Sequence, residues 1–195
     1  MRKLFGLATI MLLTAALGLA APKKQHNDAF TAGPPDESQL ARQVRHELVT
    51  LPYYSIFTDL AFQVNGSVVT LEGACPPEPP WDIKKDAENV VKRIPGVTQV
   101  INQIKELPLS NMDWDIRHAE AKAIYGDPQI GTRYGYQALP SIHIIVENGH
   151  VTLEGVVDNQ LDDTIIRTRA NAVPNVFSVT DNLVVLNAPK KKKEE

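Results

Sequence analysis

Few residues in this sequence are spaced for chemistry. His143 and His150 stand seven apart around a predicted turn. Side chains alternate along a strand, so an odd separation is read as placing the two rings on opposite, solvent-facing sides, and neither is expected to chelate. Asp113 and Asp115, and the pair Asp162-Asp163, fall at predicted helix starts. There a carboxylate meets the positive end of the helix dipole, a better fit than a metal or an acid–base pair. Cys75, the one cysteine, precedes Pro76-Pro77 with no histidine nearby in sequence, so no base is at hand to activate it. A partly buried loop thiol is expected, and an intermolecular disulfide is the sharper alternative. No phosphate loop or dinucleotide fingerprint occurs. No cofactor, no metal and no catalytic centre are expected.

Binding is a different matter. The stretch "YGDPQIGTRYGYQALP" (125–140) is long for a helix–strand connection and holds three tyrosines; such loops are often functional or disordered. Aromatic rings beside a cation suit a membrane interface or a protein patch. Tyr125, Arg133, Tyr134 and Tyr136 are therefore the candidate interaction surface, the alternative being that some of these tyrosines pack on the core. Trp81 and Trp114, near predicted helix starts, are expected to pack.

The elements that must position these residues come in two copies. The pentapeptide "VTLEG" occurs at 69–73 and again at 151–155. In unit one, Leu40, Val44, Leu48 and Leu51 form one helical face, with Asp36 as cap and Gln39 in capping-box position. A strand with Leu60, Phe62 and Val64 inward follows, then an Asn65-Gly66 turn and a return strand that Gly73 is expected to end. A Pro-rich loop leads to a helix carrying Ile83, Ala87, Val90, Val91 and Ile94, stopped at Pro95-Gly96, and to a last strand. Unit two repeats the order. Ser110 caps a helix with Ile116, Ala119, Ala123 and Ile124 inward. The strands around Asn148-Gly149 follow, with Gly155 ending the second, then a helix over about 159–172 and the strand "NVFSVTDNLVVL". Asn175 replaces Gly96 as a residue tolerant of a left-handed backbone. Glu72 and Glu154 hold one place in both copies; exposed strand positions are expected, with pairing to a neighbouring base as the alternative. The fold class read from this is α+β: two tandem αββαβ units, each a three-stranded mixed sheet packed by two helices, at 36–109 and 110–187.

The ends differ from the body. Arg2 and Lys3 precede the uncharged run "LFGLATIMLLTAALGLA", and Gly18-Leu19-Ala20 offers small residues to a signal peptidase. A signal peptide over 1–20 is expected, hence a periplasmic or secreted protein, with a flexible spacer at 21–35 and a charged tail at 188–195. The net charge is −3 for the 195 residues and becomes −5 once residues 1–20 are removed. Counterion release needs a positive surface, so nucleic acid is not an expected partner.

The runs "NGSVVTLEG…IPGVTQVINQI" and "NGHVTLEG…VPNVFSVTDNL" resemble the BON domain, the bacterial osmotically inducible and nodulation domain. The two copies together cover roughly residues 36–187. The resemblance implies a non-enzymatic envelope protein that contacts phospholipid or envelope partners and supports envelope integrity under osmotic stress. The alternative is a structural subunit of an oligomeric envelope or secretion assembly.

Overall fold

The computed structural model describes residues 27–77 and 80–187. The expected signal peptide, the spacer up to residue 26 and the tail at 188–195 lie outside the described residues, as do Glu78 and Pro79 of the Pro-rich loop.

Unit one opens with β1 (Asn27–Asp28), within the segment expected to be a flexible spacer. It pairs antiparallel with β2 (Asp59–Asn65), and Ala29 and Phe30 behind it are buried. Arg45 explains the order: its guanidinium donates to the Asp28 and Thr31 carbonyls and pairs with Glu37 at 2.7 Å. Helix α1 (Gln39–Val49) starts at Ser38 rather than Asp36, because the Ser38 hydroxyl accepts from Ala41 N–H at 3.1 Å. Its Ala41, Val44 and Leu48 face the core. β2 and β3 (Val68–Cys75) form the hairpin, with Phe62 opposite Leu71 and Val64 opposite Val69. Helix α2 (Ile83–Lys92), capped by Asp82, buries Ile83, Ala87 and Val91. The last strand is broken into β4 (Gln99–Asn102) and β5 (Lys105–Glu106), both parallel to β3. At the break the Asn102 side chain accepts from Ile104 N–H and donates to the Lys84 carbonyl.

Unit two contains α3 (Asn111–Tyr125), the short α4 (Pro128–Ile130), one π turn at Gly131–Gly135, β6 (Ile142–Glu147), β7 (His150–Val157), α5 (Gln160–Asn171) and β8 (Ser178–Val185). β6 and β7 pair antiparallel, and β8 runs unbroken and parallel to β7. Both units therefore have the α+β order read from the sequence, each mixed sheet carrying its helices on one face.

Three expectations fail, one on where the strands end and two on side-chain direction. Gly73 and Gly155 do not end their strands; both ladders run on, to Cys75 and Val157. Each glycine has positive φ, +105° and +128°, and a Cβ there would lie within 2.2 Å of the Asp59 or Ser141 carbonyl oxygen. Glycine is needed for close backbone approach across the hairpin, not for a stop. On α3, Ala119 and Ala123 are only half-buried, while Asp113, Arg117 and Glu120 are buried with Ile116 and Ile124. The outer face of β6 is covered as well: His143 is 1% exposed and Ile145 is buried. Unit one covers His143: Phe30 stacks on the imidazole and the Thr58 carbonyl lies 2.7 Å from Nδ1.

Candidate functional site

The 125–140 segment is ordered by one carboxylate. Asp162, fully buried in the first turn of α5, accepts from Gln129 Nε2 at 2.5 Å, Tyr134 Oη at 2.6 Å and Asn159 Nδ2 at 3.0 Å, and pairs with Arg133. Burial pushes its carboxyl up, but the hydrogen bonds from Tyr134, Gln129 and Arg133 outweigh that and hold it below the usual range. Tyr134 also accepts from Asp158 N–H at 2.8 Å. Burial and the Asp162 bond raise its phenol to about 12. The Tyr125 hydroxyl donates to the Ile142 carbonyl at 2.5 Å. The π turn crosses over Tyr125 so closely that a Cβ on Gly131 would lie 2.2 Å from the Tyr125 carbonyl oxygen.

The four candidate surface residues thus separate. Tyr134, expected at the surface, is 2% exposed and belongs to the core of unit two. Tyr125 is half-buried, and Arg133 has its guanidinium turned to Asp162. Tyr136 stands out at 88% exposure. It borders a groove of about 380 Å³ lined by Ile56, Ala121, Tyr125, Gly135, Tyr136 and Pro140.

Other expectations shift too. His143 and His150 lie on the same face of the hairpin, because Glu147 pairs with His150 and His143 with Glu154. The odd-spacing rule holds within one strand and resets at a two-residue turn. Four residues of strand, about 13 Å, still separate the rings, and no cluster of three His, Cys, Asp or Glu suited to a metal occurs among the described residues. Asp113 does more than serve the helix dipole. Its carboxylate accepts from Asn148 N–H at 2.9 Å and Gly149 N–H at 2.8 Å, fixing the hairpin turn in which both residues have positive φ. Trp81 and Trp114, expected to pack, are surface residues at 42% and 55% exposure, their rings tilted against Tyr53 and His118. Cys75 ends β3 and is buried, and burial pushes its thiol up to about 11. Glu72 accepts from Gln63 and Glu154 from Asn182, so each meets an amide on an adjacent strand.

Three inward-turned charged side chains escaped the sequence reading, Arg117 and Glu120 buried and Arg45 half-buried. Arg45 and Arg117 each stand seven residues after the capping serine of their helix and each is followed by histidine. Both turn inward, Arg45 to the β1 carbonyls and Arg117 to the Val146 carbonyl at 2.9 Å. The repeated Ser-x6-Arg-His spacing was the available signal. Glu120 is fully buried and neither carboxylate oxygen has a hydrogen-bond partner among the described residues. Burial raises its carboxyl to about 8.

Among solved structures, the chain is similar to the C-terminal domain of CdsD, described as the structural protein of the type III secretion system of Chlamydia trachomatis. The match has 14% identity and a TM-score of 0.30, over 77% of this chain and 99% of that one. A second CdsD structure from Chlamydia trachomatis matches at 12% identity and a TM-score of 0.30, over 76% of this chain and 64% of that one. No curated protein matches the chain. The BON domain matches twice, at residues 36–108 and 132–187, one match in each unit and together well over half of the sequence. The chain belongs to the BON domain family.

Proposed function

We propose that this chain is a non-catalytic binding module of the bacterial envelope that contacts phospholipid or envelope partners and supports envelope integrity under osmotic stress. The observation that carries the reading is the uneven distribution of exposed apolar side chains. Unit one exposes Tyr53, Trp81 and Ile101. Around the start of α3, Leu109 is 81% exposed, with Met112 and Trp114 beside it in sequence, and unit two further exposes Tyr136, Leu161 and Phe177. Aromatic and Met side chains are the types enriched where a surface meets a partner, and Trp or Leu those that enter a lipid interface. Family membership and the expected signal peptide support an envelope location. No described helix is long and apolar enough to cross a membrane, so contact with lipid would be peripheral.

Co-sedimentation with vesicles of mixed zwitterionic and anionic phospholipid tests the lipid version. Pelleting that depends on lipid at low salt and drops in Trp114→Ala is the expected result. A chain that stays in the supernatant with every vesicle composition rules lipid out.

A second reading, a subunit of an oligomeric assembly, rests on β8. This eight-residue strand pairs only with β7 among the described strands, and an open edge is a template for another chain. A strictly monomeric mass in light scattering at high concentration would count against it.

A further inference from the structure

Asn-Gly occurs twice in the sequence, at 65–66 and 148–149, each time at the tip of a hairpin. The pair has a chemistry of its own. The backbone nitrogen of the residue after an asparagine can attack the side-chain amide carbon, closing a cyclic imide and expelling ammonia. Glycine makes the attack easiest, because it has no Cβ to block the approach and its backbone bends most freely. Water then opens the imide to aspartate or isoaspartate. One water enters and one ammonia leaves, so the conversion needs no oxidant, cofactor or enzyme.

The two hairpins differ in how open they leave this route. In unit two Glu147 pairs with His150, so Asn148 and Gly149 are the turn residues, with φ of +51° and +77°. The Gly149 N–H, whose nitrogen would attack, is buried and donates to Asp113 Oδ1 at 2.8 Å. The Asn148 N–H donates to Asp113 Oδ2 at 2.9 Å, so one carboxylate pins both peptide units of the turn. Phe177 closes another side: a Cβ on Gly149 would lie 2.8 Å from its ring. The Gly149 nitrogen can reach the Asn148 side chain only by giving up its bond to Asp113.

In unit one Asn65 pairs with Val68, and the turn moves by one residue to Gly66 and Ser67. Asn65 and Gly66 are both exposed. A Cβ on Gly66 would meet nothing within 4 Å, and no hydrogen bond holds its N–H among the described residues. The residue that matches Asp113 by its distance from the capping serine is Ala41, which has no acceptor to offer. Asn65 is also the end rung of the β2–β3 ladder, where local opening costs least.

We propose that Asn65 is a site of spontaneous modification, converted through the cyclic imide to aspartate and isoaspartate in the folded chain, while Asp113 protects the matching Asn148. The product places a carboxylate at the tip of the unit-one hairpin, on a chain that is already net negative. The isoaspartate form also inserts a methylene into the main chain. That takes residue 65 out of register with Val68 and displaces Ser67, whose carbonyl accepts from Thr98 N–H at 2.9 Å just before β4. One end of the unit-one sheet is loosened, and the hairpin of unit two stays intact.

Peptide mapping by mass spectrometry of the full chain, held folded in mildly alkaline buffer, tests this. Conversion at Asn65 should outrun conversion at Asn148 by at least about tenfold, the factor that one hydrogen bond to a charged group corresponds to. In urea, where neither turn persists, the two sites should convert at similar rates. Asp113→Ala should raise the Asn148 rate toward that of Asn65 and leave Asn65 unchanged. If that variant does not fold, the folded and urea-unfolded parent chain carry the test between them. Equal rates at the two sites in the folded chain overturn the proposal. So does an Asn65 that converts in urea but not in the folded chain, or an Asn148 rate unmoved in a folded Asp113→Ala.

Discussion

Leu48 in unit one and Glu120 in unit two each stand ten residues past the serine that caps their helix, and both are fully buried. The same substitution of charge for hydrocarbon recurs. Ala41 of α1 corresponds to Asp113 of α3 by the same count, and Ile83 of α2 to Asp162 of α5 by the offset that aligns the second helices. At these three positions unit one is apolar. Unit two spends part of its seam on carboxylates, and two of the three hold something in place. Asp113 holds the hairpin turn, and Asp162 holds the π turn and the tyrosine segment. Glu120 holds nothing among the described residues. One fold can therefore exchange core hydrophobicity for the ordering of an extra loop, provided each buried carboxylate finds donors.

The largest effect should come from putting the residue of unit one into unit two at the Asp162 position. Asp162→Ile keeps a buried side chain but leaves the Tyr134 hydroxyl proton and Gln129 Nε2 without their acceptor and takes from Arg133 the nearer of its two carboxylates. Losing a buried, multiply bonded carboxylate costs about 3 kcal/mol, read as a lower urea midpoint. Amide exchange should also accelerate across residues 128–135. A variant as stable as the parent would mean that Asp162 only fills space, and the contrast between the units would fall.

Next is Glu120→Leu, which removes an unsatisfied group and should stabilise. The folded-state carboxyl is raised to about 8 from an ordinary value of 4.5. Between those values the folded chain keeps a proton that the unfolded chain gives up, so stability falls as pH rises through that window. Below about pH 4.5 both states are protonated and the variant gains no electrostatic advantage. At pH 7 the linkage alone amounts to about 3 kcal/mol as an upper bound. Thermal melts at pH 4.5 and pH 7.5 check the sign: the gain in Tm should be large at the higher pH and small at the lower.

The contrast also marks what the sequence could disclose. Element order was legible because the apolar periodicities and the repeated "VTLEG" and "PGV"-type turns report local geometry. Both serines were open to reading as caps, yet Asp36 competed with Ser38, and only the backbone entry into α1 decides between them. The tyrosine segment was recognisable by residue type. The direction of Tyr134 was not, since it depends on Asp162, 28 residues further on. Gly73 and Gly155 read as strand endings because glycine most often interrupts strands; their close approach to Asp59 and Ser141 is a cross-strand fact. Burial of His143 followed from the docking of unit one on unit two, which no periodicity within either unit records.

The smallest expected effect tests where the units should be interchangeable. Gly96 and Asn175 occupy one turn position after the second helix of each unit, with φ of +98° and +67°. A Cβ on Gly96 would meet nothing within 4 Å, so the site is open and only the backbone conformation restricts it. Asparagine enters the left-handed region more readily than other residues bearing a Cβ. Gly96→Asn should therefore cost no more than about 1 kcal/mol, the backbone relaxing toward the φ that Asn175 already adopts. Gly96→Val, at the same open position, should cost more, because a β-branched residue is a true outlier at positive φ. Urea midpoints of the two variants read against each other settle it. If Asn and Val cost the same, the turn does not require a left-handed residue, and the correspondence between Gly96 and Asn175 is one of sequence only.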